Sequence, residues 1–363
     1  MFGSHLSIAG SMANAPREAE RLTFDTVQVF TKNQRQWNVP ALADAARDEW
    51  LAELARLGWT SRVVSHNSYL ANLASPDDTL WNKSLDLMRD EFSRAHTLGI
   101  PYLVAHPGAH VGSGVEAGIE RIAKAVAILL KETRGSAVKL CLENTAGGGS
   151  TLGRSLEELA AMKQAIEEEA GADAQLPGVK SKTASRIAFC IDTCHALAAG
   201  YDLDACEPGA PGKPGRKRTR QEGEAAAERF FREFDEVCGL GNLAVLHLND
   251  SKGGRGSHLD RHAHLGTGNV AVGVFAAIVN HRGLAGVPKI LETPKENDKD
   301  GVPMDTINLR LLRSLVTGAE AGAEVEPKRA GSPRSRVSKS KPEPKAKPRA
   351  KAQTSRQSRS SRK

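Results

Sequence analysis

The chain has 363 residues, of which 40% are hydrophobic and 26% are charged, and its formal net charge is +7 at pH 7. A chain with this apolar content can bury a hydrophobic core. Its length is enough for one catalytic domain of about 250 residues with additional segments. No apolar run approaches the roughly 18 residues of a membrane helix, and the N-terminus shows no signal segment. The sequence therefore predicts a cytoplasmic protein that does not enter a membrane.

The positive charge is concentrated at the C-terminal end. Residues 327–363 contain 14 Lys or Arg and one acidic residue, Glu343. Because the whole chain has 50 basic and 43 acidic residues, the part before this segment keeps 36 basic against 42 acidic residues. We divide the chain into a mildly acidic domain, residues 1–317, and a tail, residues 318–363. The tail has no hydrophobic period and is predicted to be disordered and to suit a polyanion.

Eight short apolar runs are predicted to be strands. They lack polar alternation, which is typical of strands that are buried on both faces, as in a parallel sheet. The runs comprise residues 2–8, 25–31, 62–66, 102–106, 138–143, 187–192, 243–247 and 289–292. The last six end on a His, Asp or Glu residue.

Helical patterns separate these runs. They cover residues 11–22, 41–57, 79–98, 115–133, 155–169, 222–237, 272–280 and 305–315. Eight strand-helix units predict an α/β fold, the (β/α)8 TIM barrel, in which the carboxyl ends of all strands open on one face. The polar residues that end six of the strands should therefore converge there.

Two loops at this face carry side chains that suit a nucleic acid. Residues 31–37 combine two cations, three amides and one indole. Such groups hydrogen-bond phosphates and base edges or stack on bases, although an ordinary solvated turn is the alternative. After the third strand, Tyr69 and Leu70 either wedge into a nucleic acid groove or simply line the rim.

Three further segments interrupt the regular pattern. Residues 206–221 are rich in Gly, Pro and cations, and are predicted to form a mobile basic loop on the active-site side. Contact with a phosphate backbone and plain solvation remain alternatives for this loop. Residues 170–185 are predicted to be a surface insertion. The glycines at 147–149 would permit close approach of an anion, but a Gly-rich loop alone is a weak signal.

Nine imidazole or carboxylate side chains are the candidate metal ligands. They are His66, His106, Glu143, Asp192, His195, His247, Asp260, His262 and Glu292. Imidazole with carboxylate and no thiolate suits zinc or manganese, and nine groups are enough for two or three ions that share bridging carboxylates. His5 lies inside a strand and is expected to pack or to support a ligand. The five Cys residues are expected to stay reduced.

A cluster of this kind has a preferred chemistry. Two metal ions about 3.5–4 Å apart can hold a bridging hydroxide and stabilise both oxygens of an in-line displacement at phosphorus. Phosphodiester hydrolysis is therefore the reaction that these residues suit best.

Six motifs resemble those of the endonuclease IV family. They are FTKNQRQW at 30–37, HPG at 106–108, ENTAG at 143–147, CIDTCHA at 190–196, HLND at 247–250 and DRH at 260–262. The resemblance extends in order from residue 1 to about residue 315. It implies a TIM barrel with three zinc ions, manganese being an alternative at some positions. It also implies hydrolysis of double-stranded DNA 5′ to abasic sites by a metal-bridged hydroxide, which leaves 3′-hydroxyl and 5′-deoxyribose phosphate ends. Removal of 3′-blocking groups and a place in base excision repair follow from the same resemblance.

The resemblance also implies which residues hold each ion. One zinc would take His66, His106 and Glu143. A second would take Glu143, Asp192, His247 and Glu292. A third would take His195, Asp260 and His262. In this scheme Glu143 bridges two ions, and Glu292 orients the attacking hydroxide.

Four other residues match the family positions that enter the duplex around the flipped-out nucleotide: Arg35, Gln36, Tyr69 and Leu70. Three departures from the family pattern are visible. Asn67 stands where an aspartate is common, the loop at 207–220 is longer than usual, and the tail is an addition. None of them removes a ligand, so activity is expected to survive.

Two other functions compete with this hypothesis. A sugar isomerase or epimerase would use the same barrel with metal at the strand ends, but it would leave the third ligand set and the cations at the mouth without a purpose. A DNA-compacting protein without enzymatic activity would depend on the tail alone. We expect a monomer that acts on abasic DNA, with nonspecific nucleic-acid contacts from the basic tail.

Overall fold

Eight parallel strands form a closed barrel in the computed structural model, which describes residues 1–179, 184–207 and 216–317. The barrel strands are β1 (Phe2–His5), β2 (Thr26–Phe30), β3 (Val64–His66), β4 (Tyr102–Ala105), β5 (Lys139–Glu143), β6 (Ile187–Asp192), β7 (Leu243–His247) and β10 (Lys289–Leu291). Neighbours in the chain are neighbours in the barrel, and β10 closes it by pairing with β1. The predicted TIM barrel is confirmed.

Two additional short strands form a hairpin beyond β7. They are β8 (Asp250–Ser251) and β9 (His262–Ala263), and they pair antiparallel. The predicted ligands Asp260 and His262 therefore lie on a structured hairpin.

Apolar side chains fill both faces of the barrel wall. One cluster consists of residues contributed by six strands: Val64, Val104, Cys141, Ala188, Cys190, Val245 and Ile290. A much larger cluster joins the other face of the strands to the helices. Because both faces are buried, the strands are continuous apolar runs, as the sequence indicated.

Nine α-helices surround the barrel within the described ranges. They are α1 (Asn14–Arg21), α2 (Asp44–Leu57), α3 (Asp78–Thr97), α4 (Val115–Glu132), α5 (Leu156–Ala170), α6 (Thr193–Ala199), α7 (Arg220–Cys238), α8 (Val272–Asn280) and α9 (Met304–Leu315). Each of the eight predicted helices is present, with ends within three residues of the prediction. No helix in this part of the chain is both long and apolar enough to cross a membrane.

Helix α6 is the element that the sequence did not reveal. It begins directly after β6, because the Asp192 side chain accepts a hydrogen bond from the backbone N–H of His195 at 3.0 Å and caps the helix. His195 thus lies in the first turn of a helix rather than at the end of a strand. The predicted strand, residues 187–192, ends where β6 ends, and only the short helix that follows it was not predicted.

Helices α7 and α8 pack with their backbones in direct contact. An added Cβ on Gly273 would lie 2.0 Å from the carbonyl oxygen of Arg220 and 2.7 Å from the backbone nitrogen of Glu224. Only glycine allows this approach.

The base of the predicted basic loop is ordered. The backbone N–H of Glu207 donates to the Arg216 carbonyl, and that of Arg218 donates to the Ala205 carbonyl, both at 2.8 Å. Arg218 is half-buried and pairs with Asp202 at 2.5 Å. For residues 216–221 the prediction of a mobile loop was therefore wrong. Residues 208–215 lie outside the described residues, as does the predicted tail, residues 318–363.

The segment predicted as a surface insertion, residues 170–185, contributes to a small cavity at the amino ends of the strands. Leu176 and Ser185 line this cavity beside Tyr102 and Lys139. These residues of the insertion therefore lie at the end of the barrel opposite the carboxyl ends of the strands.

Candidate metal centre

The carboxyl ends of β3, β4 and β5 bring together the first group of predicted ligands. The Nε2 atoms of His66 and His106 lie 3.0 and 3.1 Å from the same Glu143 oxygen, Oε2. Glu143 is completely buried. The three donor atoms lie within 4.8 Å of one another.

The second group forms on the other oxygen of Glu143. His247 Nδ1 lies 2.8 Å from Glu143 Oε1, 3.1 Å from Glu292 Oε2 and 3.9 Å from Asp192 Oδ2. These four residues again have donor atoms within 4.8 Å of one another. The structure thus gives Glu143 one oxygen in each group, which is the arrangement of a bridging carboxylate.

The third group comes from helix α6 and the hairpin of β8 and β9. His195 Nε2 and His262 Nε2 lie 3.2 and 3.5 Å from Asp260 Oδ1. His262 Nε2 is also 3.5 Å from Asp192 Oδ2, which places this group beside the second one. The Asp260 side chain is half exposed and faces the solvent side of the site.

The histidine rings have their orientations fixed by carbonyl oxygens. The Nδ1 atoms of His66 and His195 donate to the Asn67 and Asn144 backbone carbonyls at 2.8 and 2.9 Å. The corresponding donation from His262 goes to the Glu292 carbonyl at 3.2 Å. A carbonyl only accepts, so the hydrogen on these rings is assigned to Nδ1 and the Nε2 lone pair points into the site.

The distances between the donor atoms and their hydrogen-bond partners show whether a metal ion fits the site. Imidazole nitrogens face carboxylate oxygens at 3.0–3.5 Å, a repulsive arrangement unless a proton or a metal cation lies between them. The buried Nε2 atoms of His195 and His262 also have no hydrogen-bond partner. Five imidazoles and four carboxylates without a thiolate form a donor set that suits zinc or manganese. The residues therefore fit a group of bound metal ions.

The pKa shifts within the cluster also favour a bound cation. Burial would raise the pKa of Glu143, but His247 and His106 hold it well below its usual value. Burial would lower the pKa of His195, but Asp192, Asp260 and Glu143 raise it well above its usual value. Glu143 is thus ionised at neutral pH and attracts positive charge.

Three buried amides that sequence reasoning did not select hold the ligands in place. Gln28 Oε1 accepts from His247 Nε2 at 2.9 Å, and Gln28 Nε2 donates to Glu292 Oε1 at 2.7 Å. Asn249 donates to Asp192 Oδ2 at 2.7 Å, and Asn144 accepts from the Asp192 backbone N–H at 2.6 Å. The signal for Gln28 was a polar residue in the middle of an apolar strand, and Asn144 and Asn249 each lie in one of the family motifs.

His5, Asn67 and the five Cys residues were not predicted to be metal ligands. His5 Nδ1 lies 3.3 Å from Glu292 Oε1 and supports that carboxylate, as a packed histidine would. The Asn67 side chain donates to Met88 Sδ, so the departure from aspartate does not touch His66. The expectation of reduced cysteines agrees with the structure, in which all five are free.

The site opens into a cavity of about 330 Å³. Tyr69 stands at its edge, 60% exposed, with its ring centroid 5.4 and 5.5 Å from those of His66 and His106. Arg35 and Gln36 are exposed on the neighbouring loop, and Leu70 is half-buried. The cavity wall also contains two cations that the sequence did not single out, Lys252 and Arg261.

The chain is similar to known proteins along most of its length. Residues 16–315 match the family described as xylose isomerase-like TIM barrel. The chain is thus a TIM barrel of this family. A protein named "Probable endonuclease 4" from Chloroflexus aurantiacus is 40% identical over 88% of this chain and 99% of that protein. A protein of the same name from Geobacter sulfurreducens is 39% identical over 90% of this chain and 98% of that protein.

Solved structures agree with these relatives. Endonuclease IV from Thermus thermophilus is 32% identical, covers 86% of this chain and 98% of its own, and superposes with a TM-score of 0.66. A D-tagatose 3-epimerase-like protein, 18% identical with a TM-score of 0.58, shares the fold. The chain belongs to the endonuclease IV family.

Proposed function

We propose that this chain hydrolyses the backbone of double-stranded DNA on the 5′ side of abasic sites. The products would be a 3′-hydroxyl and a 5′-deoxyribose phosphate, and the enzyme would also remove 3′-blocking groups during base excision repair. The observation that carries the proposal is the shared carboxylate Glu143, whose two oxygens face two separate sets of ligand-type residues at 2.8–3.1 Å. Such a cluster suits displacement at phosphorus.

The three groups of side chains would hold three zinc ions. His66, His106 and Glu143 would hold the first, and Glu143, Asp192, His247 and Glu292 the second. The third would be held by His195, Asp260 and His262. When bound, such ions supply an activated water and positive charge at the phosphate.

Glu292 is the residue that would orient the attacking water. Burial would raise the pKa of its carboxyl, but His247 and His5 hold it well below its usual value, so it is ionised at neutral pH. Its backbone N–H donates to Asn249 Oδ1 at 2.8 Å, and its Oε1 accepts from Gln28 at 2.7 Å. A carboxylate fixed at both its backbone and one oxygen can accept a proton at the other, Oε2.

The rim residues would recognise the damaged duplex. Arg35 and Gln36 on one loop and Tyr69 and Leu70 on the next would enter the DNA beside the abasic nucleotide. Flipping this nucleotide into the cavity is least costly where no base remains to unstack, which favours abasic over intact sites. The exposed ring of Tyr69 next to His66 and His106 supports this role.

Cleavage of a defined duplex tests the proposal. The zinc-loaded protein should cut an end-labelled duplex only at a central abasic site and only 5′ to it, and a chelator should stop the reaction. The same duplex without the lesion is the control. Intact abasic DNA together with turnover of a ketose would instead establish a sugar epimerase or isomerase.

A further inference from the structure

Two loops at the edge of the cavity are joined beneath it by one buried hydroxyl group. We name residues 31–40 the first rim loop and residues 67–72 the second rim loop. Ser68, 1% exposed, donates from Oγ to the backbone carbonyl of Gln34 in the first rim loop at 2.7 Å. The same hydroxyl accepts from the Leu70 backbone N–H at 3.3 Å. One side chain thus connects a carbonyl next to Arg35 with the backbone of Leu70.

A buried carboxylate on helix α3 makes a second connection between the loops. Glu91 is 1% exposed and accepts a hydrogen bond from Thr31 Oγ1, in the first rim loop, at 2.8 Å. The backbone N–H of Ser68, in the second rim loop, offsets part of the rise that burial causes in the pKa of Glu91. Lys32 Nζ, also in the first rim loop, lies 3.6 Å from it. A buried charge is costly unless its partners stay in place, so Glu91 holds both loops at the same time.

These connections are the more important because the loops have little regular structure. Within both loops the described backbone forms turns and bends rather than helices or strands. The tips are exposed, as the 60% exposure of Tyr69 illustrates. An irregular loop that is held only at its ends would have to be ordered when a partner binds, at a cost in conformational entropy.

We propose that Ser68 and Glu91 are positioning residues that couple the two rim loops into one rigid unit. The unit presents Arg35 and Gln36 together with Tyr69 to the duplex. Because the two loops are already ordered when the protein folds, less conformational entropy is lost when DNA binds. The proposal rests on the proposed function, in which both loops contact abasic DNA. Neither residue touches the substrate or a metal ligand side chain.

Amide hydrogen exchange and steady-state kinetics of the full-length, zinc-loaded Ser68→Ala variant test the coupling. Exchange should become faster in the first rim loop as well as in the second, although the substitution lies in only one of them. The KM for an abasic duplex should rise about tenfold, the equivalent of one lost hydrogen bond, while kcat stays within about twofold. Glu91→Gln, a change outside both loops, should give the same pattern.

Ser136→Ala is the matched control. Ser136 is also buried, 4% exposed, and its hydroxyl accepts from the Val138 backbone N–H at the opposite end of the barrel. It should change neither the exchange of the rim loops nor KM. Faster exchange in the second rim loop alone, or a KM equal to that of the control, would overturn the coupling. A wild-type protein that leaves abasic DNA intact would refute the proposed function, and the exchange experiment would still decide the coupling by itself.

Discussion

Gln28 is the residue on which two predicted ligands depend. It is fully buried, accepts from His247 Nε2 and donates to Glu292 Oε1. Gln28→Met keeps the volume but leaves the N–H of His247 unpaired and the ring free to turn. We expect zinc affinity to fall by about 10–100-fold, as is typical when the partner of a ligand is removed. Competition with a chelating dye measures it, and an unchanged affinity would mean that Gln28 only packs.

Glu292 has the strongest expected effect on turnover. Glu292→Gln keeps the shape and the hydrogen bond from the backbone N–H of residue 292 to Asn249 Oδ1, but it cannot accept a proton. We expect kcat to fall by about 10²–10⁴-fold, with much less change in the affinity for abasic DNA. The matched control is Glu296→Gln, because Glu296 is 63% exposed and pairs with His264. Equal losses in kcat and binding would remove Glu292 from the proton-accepting role.

Single residues also show what sequence reasoning can and cannot reach. Six of the nine ligand-type residues were predictable because they lie at or directly after the ends of buried strands, and parallel strands end on one face. Gln28, Asn144 and Asn249 were not, since each acts through a hydrogen bond to a residue far away in the sequence. Which histidine nitrogen faces the site can also depend on such partners, as with the Asn144 carbonyl that accepts from His195.

Among the secondary-structure elements, the contact of α7 with α8 has the least tolerance for change. A Cβ on Gly273 would overlap the Arg220 carbonyl oxygen at 2.0 Å. We expect Gly273→Ala to reduce the free energy of unfolding by roughly 1–3 kcal/mol or more, because backbone cannot move aside as a side chain can. Urea unfolding measures this loss. Gly286→Ala is the control, since a Cβ there meets nothing within 4 Å, and similar losses in both variants would contradict the explanation.

The elements were largely predictable, and the exception has a physical reason. Periodicity identified eight strands and eight helices because each of these presents an apolar face to a neighbour. Helix α6 has only seven residues, of which six are buried, so it offers no amphipathic period. Asp is a residue type that often caps a helix, so Asp192 was a signal for the start of a helix. Because Asp192 also ends the preceding strand, this second role was not recognised.

For the molecule as a whole, we expect the stabilisation by zinc to depend on pH. Burial opposes charge on His195 and His247, but nearby acidic groups raise the pKa of both well above the usual value. In the metal-free chain, this protonation contributes stability that is complete below about pH 6.5, the unfolded pKa, and is lost as the pH rises through the folded pKa. The carboxylates are then left uncompensated.

The gain in melting temperature on adding zinc should therefore increase as the pH rises above about 6.5. Differential scanning calorimetry of chelator-treated and zinc-loaded protein measures it at each pH. A gain that stays constant or shrinks would show that protons do not replace the ions in the metal-free chain.

The C-terminal charge gives a second prediction for the whole molecule. Removing residues 318–363, which lie outside the described part of the chain, takes away the segment with 14 basic residues. We expect the shortened protein still to cut abasic DNA, but the logarithm of its affinity should depend less steeply on the logarithm of the salt concentration. Fewer phosphate contacts release fewer counterions. Identical slopes for the two proteins would show that the tail makes no contact with DNA.

Asp192 has two duties that cannot be separated. Its Oδ1 starts helix α6, which carries His195, while its Oδ2 faces His247 and His262. A cation that displaced this carboxylate would also displace the first turn of α6, and with it His195, a predicted ligand of the third group. If ions bind in the second and third groups, we expect their occupancies to be coupled through this one side chain, so that the two groups fill together rather than one at a time.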